Sequence, residues 1–366
     1  MLSTLSYAIY SLFILKTSKR VWFCYILPAW LIAFGLVINF SINYLTNHVL
    51  IGHLGFILPW SLLLIIHTIV DREELDPKIL WKYSYNLMLV IVLLGLFDYY
   101  LIYFLGSSAK VLNTPYGVFL AGKFSILHML EDGAPHFRFY AAFAEAGSLG
   151  MMLLPFIVYS FLYKKYIGMI ILGLGLYFSS SLGANISLVL LFTLLFLTKQ
   201  KSRKNYFLLY VKTFFLVTLI ILKIIPFFAE EIEKKDGSRI TREESFKTGI
   251  NNISEIFINN SFGLELANST RKSEMNSLYS GSNFIPIIYL MKGGILSFIG
   301  YCIIIYFSIY DSIRILVSTR NIKKIDYIVA LSLLSLAPFL VQRMTLWETP
   351  LFALLYFPTL LKKKLE

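Results

Sequence analysis

An all-α integral membrane protein with two large outer loops is the fold class this sequence predicts, on three observations. Of its 366 residues, 57% are hydrophobic and only 15% charged. With a mean hydropathy of +0.71, that composition excludes an ordinary soluble globular domain. Apolar runs recur at the length a spanning helix needs, about 20 residues. The charge is also one-sided. Residues 16–20, 71–82, 164–165, 199–204, 311–326 and 362–366 hold 19 Lys/Arg against 7 Asp/Glu, the whole formal net charge of +12. The remainder is balanced at 14 of each sign. This is the positive-inside pattern, so the basic balance reports topology and not nucleic-acid binding.

In chain order, spans are expected near 21–45, 48–70, 83–105, 139–163, 166–181, 183–198, 206–229, 286–310, 327–342 and 346–361. A shorter apolar segment lies near 3–15, which makes about ten or eleven crossings, the shortest paired as tight hairpins. Arg20 and Lys362 are separated by ten spans, so both can be cytoplasmic. Met1 to Leu15 lacks a basic start and a small-residue cleavage site, so no cleavable signal is expected. Cys24 and Cys302 fall in different spans, and the five His make no HxxxH or HExxH pair. Neither a disulfide framework nor a metal spacing is visible. The chain reads as one polytopic membrane domain, 1–366, without internal repeats.

Two outer loops interrupt the spans, at about 106–137 and 230–285. The first is punctuated by the turn-forming LNTPYG and EDGAPH. In the second, Thr241 and Glu244 form the T-x-x-E capping box that starts a helix at about Arg242. Phe246, Ile250, Ile253 and Phe257 then follow at helical spacing, which predicts an amphipathic helix along the outer surface. Arg242 at its first turn would add a guanidinium to the positive end of the helix, a combination suited to phosphate or diphosphate.

The residues with the strongest chemistry lie in HFRFYAAFAEAGSLG, 136–150. Arg138 and Glu145 are seven residues apart; on one helix they would share a face roughly 10 Å apart along the axis. An ionisable group carried into hydrocarbon is costly and marks a functional position by default. Arg138 alone is equally a snorkelling anchor at a helix end, whereas Glu145 lies too deep to snorkel and needs a partner or water. His136 is a base or donor beside Arg138, or a plain loop histidine. Arg239 and Arg271 compete with Arg242 for one role in the long loop. Arg343, in the short turn QRMTLWETP, is placed to line the same outer cavity. Asp98 and Lys292 read as anchors near outer span ends.

HFRFYAAFAEAGSLGMML resembles the Wzy-type O-antigen and capsular polysaccharide polymerases of the O-antigen ligase/polymerase group. Arg138, Phe143, Glu145 and Gly147 match that family's Arg, aromatic, Glu and small residue at a span start; Ala146 replaces its Pro. SSSLGANISLVLLF, then DGSRITRE with NNSFGLEL, then SNFIPIIYLMKGGILSFIGY with its polar Asn283, are similar to further family segments in the same order. The likeness covers about residues 130–310. It implies a GT-C-like, multi-span glycosyltransferase of the bacterial inner membrane. Such an enzyme joins undecaprenyl-diphosphate-linked repeat units on the outer face, with neither metal nor other cofactor. Arg138 and Arg242 would stabilise the diphosphate leaving group, with Arg239 or Arg271 in reserve. Glu145 would deprotonate the acceptor hydroxyl or orient Arg138, and the sequence leaves both open. Membrane lipid, a chain-length regulator and a flippase are the implied partners. Ligases of the group usually carry a His in the second loop, and this chain has none after His136. A lipid-linked oligosaccharide flippase or other transporter is the competing class.

Overall fold

The computed structural model describes residues 22–42, 76–106, 110–114, 117–129, 137–141, 146–179, 181–199, 285–317 and 323–342, together with Lys247, Ile253 and Ser261. The spans expected near 3–15, 48–70, 206–229 and 346–361 lie outside them. The protein is mostly helical. Among the described residues, Trp22–Asn39, Pro77–Tyr103 and Ile285–Val317 are long and apolar enough to cross a membrane, and Gly147–Leu162, Tyr166–Ser179 and Gly183–Leu195 are shorter apolar helices.

Contacts divide the chain into two compact units. The first comprises Met1–Pro77, Ile232–Ile313 and Leu340–Glu366. Here a π-helical turn, Trp22–Ile26, opens α1, Leu27–Ile42. It packs antiparallel against α6, Ile285–Val317. The pairing runs from Tyr25, whose hydroxyl donates to Asp311 at 2.6 Å, through Ile32, whose carbonyl accepts from Ser297 Oγ at 2.9 Å, to Gly35 against Gly293. Small residues at this seam let the backbones approach, the usual basis of helix association in lipid. A Cβ on Gly300 would lie 2.8 Å from Ile32 Cγ1. Gly300→Leu is therefore expected to cost roughly 1–3 kcal/mol by overpacking and to lower the melting temperature of the purified protein. Gly173→Ala is the control, since nothing lies within 4 Å of a Cβ there. Equal loss from both would remove the close α1–α6 seam as the cause.

α6 departs from the expected span 286–310 by an internal break and at its C-terminal end. Its 33 residues would rise about 50 Å as one straight helix, well beyond the ~30 Å hydrocarbon core. Gly294 breaks it, at φ 67° and ψ −164°, a conformation that glycine alone adopts readily. The Ile295 N–H beyond the break donates to the Ser261 carbonyl at 3.0 Å. From the same long loop, Ile253 packs on Ile287, Leu290 and Met291. Lys247 and Ile253 are helical, with Lys247 exposed and Ile253 half-buried. At the other end α6 runs on to Val317. Asp311, read from sequence as part of an inner segment at 311–326, is therefore a buried helical residue.

The second unit comprises Lys78–Glu231 and Arg314–Phe339. It holds α2, Pro77–Tyr103; a four-stranded sheet; α3, Ala146–Leu162; α4, Tyr166–Ser179; α5, Leu182–Lys199; and most of α7, Lys324–Gln342. Asp76 before Pro77 is the arrangement that favours a helix start, an acidic cap followed by proline at the first position. α2 is apolar on both faces. Trp81, Tyr85, Met88, Val92 and Tyr99 are buried, while Ile79, Tyr83, Leu87, Val90, Leu94 and Phe97 are exposed. A helix apolar all round needs a second apolar phase outside the protein, which here is lipid. Gly168 and Gly175 of α4 lie against Tyr85 and Val92 of α2, and Gly150 of α3 against Ala184 of α5. α3 and α4 form a tight hairpin through Lys164, which takes φ 57°.

The loop expected at about 106–137 is more than turns. β1, Lys110–Thr114, β2, Gly117–Ala121, β3, Ile126–Met129, and β4, Phe137–Phe139, form an antiparallel meander in the order β1-β2-β3-β4. The alternating, β-branched and aromatic residues of KVLNT, GVFLA and FRF suit a pleated, half-buried surface, a signal outweighed at the sequence level by the surrounding turn residues.

Candidate functional site at the β4 edge

Arg138 is the one sequence-selected site residue whose backbone is described. It is not on a helix. It is the middle residue of β4, and α3 starts only at Ala146. Ala141 between them takes φ 48°, which turns the chain away from both strand and helix. The expected arrangement, Arg138 and Glu145 two turns apart on one helical face, is therefore corrected. The span expected at 139–163 begins seven residues later. The physical reason is that the backbone groups of Phe137–Phe139 are committed to the ladder with β3 and are not available to a helix.

Three contacts fix this strand. The ladder pairs Leu127 with Phe139 and His128 with Arg138. Phe139 is fully buried, wedged where a Cβ on Gly95 of α2 would lie 2.8 Å from its ring, and one on Gly175 of α4 3.7 Å away. Tyr99 meets it edge-on at 6.1 Å. Burying such a ring contributes about 1.5–3 kcal/mol. Because residues alternate faces along a strand, Arg138 and His128 occupy register positions on the face opposite Leu127 and Phe139.

The third contact comes from Asp98. Sequence reading placed it as an interfacial anchor; the structure buries it, with 3% of its surface exposed. Asp98 Oδ2 accepts from the backbone N–H of Phe124, from that of Ser125 at 2.9 Å, and from Ser125 Oγ at 3.4 Å. These are the turn residues joining β2 to β3, and Gly122 leaves room for the carboxylate: a Cβ there would lie 2.9 Å from Asp98 Cγ. The acid locks the turn, the turn starts β3, and β3 sets the register of β4. A lone acid in a long apolar helix is its one signal in the sequence, and by itself that signal reads as an anchor. Its partners lie 26 and 27 residues on, beyond any local pattern. No sequence pattern marks His128, which only the ladder register pairs with Arg138.

His136, Glu145, Arg239, Arg242, Arg271, Asn283 and Arg343 lie outside the described residues. Lys292, read as an anchor, is half-buried in α6, two residues before the break at Gly294. Among the described residues no group of three His, Cys, Asp or Glu converges on a cation site. The fold and this site define a mostly helical, membrane-embedded protein with a small sheet mounted on its helices. No family model, curated protein or solved structure matches the chain.

Proposed function

We propose that this chain is a polysaccharide polymerase of the bacterial inner membrane, with its C-terminus in the cytoplasm. It joins undecaprenyl-diphosphate-linked oligosaccharide repeat units on the outer face. The observation that carries this reading is the mounting of Arg138. A guanidinium-bearing residue sits in a strand that is clamped by Phe139, laddered to β3 and latched through Asp98. A firmly held strand fixes the backbone from which such a side chain extends, and donors positioned in advance stabilise charge developing in a transition state.

In the proposed reaction an acceptor hydroxyl attacks the anomeric carbon of the growing chain's lipid-linked sugar. The bond from that carbon to the diphosphate oxygen breaks, and the hydroxyl proton leaves through Glu145 or water. The diphosphate departs with its charge held by Arg138. No metal is assigned a step. Purified protein supplied with a defined lipid-linked repeat unit is expected to produce polymer, at the same rate with and without a metal chelator. Loss of turnover in chelator, restored by one divalent ion, would overturn the arginine-only account.

A second reading, a lipid-linked oligosaccharide flippase, is favoured by the break in α6 at Gly294, since discontinuous helices are a transporter device. A deletion strain separates the two. Loss of a polymerase leaves single repeat units on a polysaccharide gel, and loss of a flippase leaves none.

A further inference from the structure

The α3–α4 turn and the starts of α2 and α7 converge within the second unit. The Lys165 ammonium lies 4.4 Å from the Tyr85 ring centroid and 5.4 Å from that of Tyr159. The Lys324 ammonium lies 5.2 Å from that of Tyr163. The rings form one wall: Trp81 stacks on Tyr159 at 6.3 Å, and Tyr159 meets Tyr85 at 5.0 Å and Tyr163 at 4.5 Å. Cation–π attraction thus holds two ammonium groups at one level. Exposed Lys78, Lys82, Lys164 and Lys323 flank them. Among the described residues at this end the acids are Asp76, exposed, and Asp326, buried, so basic side chains outnumber acidic ones on the described surface.

We infer that this end of the second unit is a binding site for the phosphate headgroup of an anionic phospholipid. Charge alone would suit any polyanion; the adjoining surface selects lipid. From this end run the exposed Ile79, Tyr83 and Leu87 of α2 and Tyr166, Ile167 and Ile170 of α4, which acyl chains cover while the phosphate meets the lysines. Tyr and Trp are the side chains enriched at that depth. The segments 71–82, 164–165 and 311–326 are also those the charge pattern assigns to the inner face, where anionic lipids attract basic residues. The inference rests on this unit's geometry and is independent of the polymerase reading.

The test is native mass spectrometry of the purified full-length protein incubated with an equal mixture of phosphatidylglycerol and phosphatidylcholine. The expected result is selective retention of phosphatidylglycerol, weakened roughly fivefold for each lysine neutralised. The preference should therefore be lost in the triple variant Lys164→Gln, Lys165→Gln, Lys324→Gln. Lys164→Gln alone, an exposed position, keeps the test decisive where the triple variant fails to fold, and should reduce the preference measurably. Equal retention of both lipids by the wild-type protein, or an unchanged preference in Lys164→Gln, overturns the inference. So does displacement of phosphatidylglycerol by inorganic phosphate at matched concentration, because a site satisfied by a soluble anion does not need the lipid.

Discussion

Arg138→Ala is expected to lower polymer formation by roughly 100- to 1000-fold, the usual cost of deleting a preorganised donor to developing negative charge. Arg138→Lys should recover little of it. An ammonium is a point charge on a flexible stem, and the planar fork that meets two phosphate oxygens at once is gone. The structure makes the test clean. The strand is held by the burial of Phe139 and by the β3 ladder, so truncation at Arg138 leaves its anchors in place. Purified variants would be compared for turnover of a lipid-linked repeat unit and for thermal unfolding. Normal polymer ladders from Arg138→Ala at normal expression would reject the assignment, and Arg242 with Arg239 or Arg271 would then have to carry the leaving group.

The second large effect is expected at Asp98. Asp98→Ala removes the acceptor of two backbone N–H groups and one hydroxyl. All three share Oδ2, so their contributions do not add, and each of the two backbone N–H groups left without its acceptor costs about 1–3 kcal/mol. A loss of about 2–6 kcal/mol is therefore expected, read as a drop in melting temperature. Asp98→Asn keeps one acceptor oxygen and should fall between. Because the turn sets β3 and β3 sets β4, the protein that remains folded should also turn over more slowly, with kcat reduced more than KM. A loss of stability with unchanged kcat in the folded fraction would make Asp98 a structural acid only. An unchanged melting temperature would remove it from the argument altogether.

The helices were legible in the sequence because a spanning segment announces itself by length and apolar content, which are local properties. The expected segments near 21–45, 83–105, 166–181, 183–198, 286–310 and 327–342 all coincide with described helices, to within a few residues at most ends. The errors fall where a long-range partner decides the outcome. α6 runs past its expected end because Asp311 finds Tyr25, 286 residues away in sequence, and so tolerates burial. The 139–163 span starts late because Phe139 has a slot between α2 and α4 and its neighbours have a ladder.

The sequence by itself determined that the chain is mostly helical and that its apolar helices need lipid, and it marked Arg138 and Glu145 as candidates for a site. These follow from composition and spacing, which act residue by residue. Tertiary structure alone decided that Arg138 rides on a strand and that Asp98 is a latch. It alone decided that α6 breaks at Gly294 and that two lysines are pinned on one tyrosine wall. Each of these depends on groups brought together from distant parts of the chain. Their free energy comes from desolvation and hydrogen-bond pairing that exist only once the helices have packed.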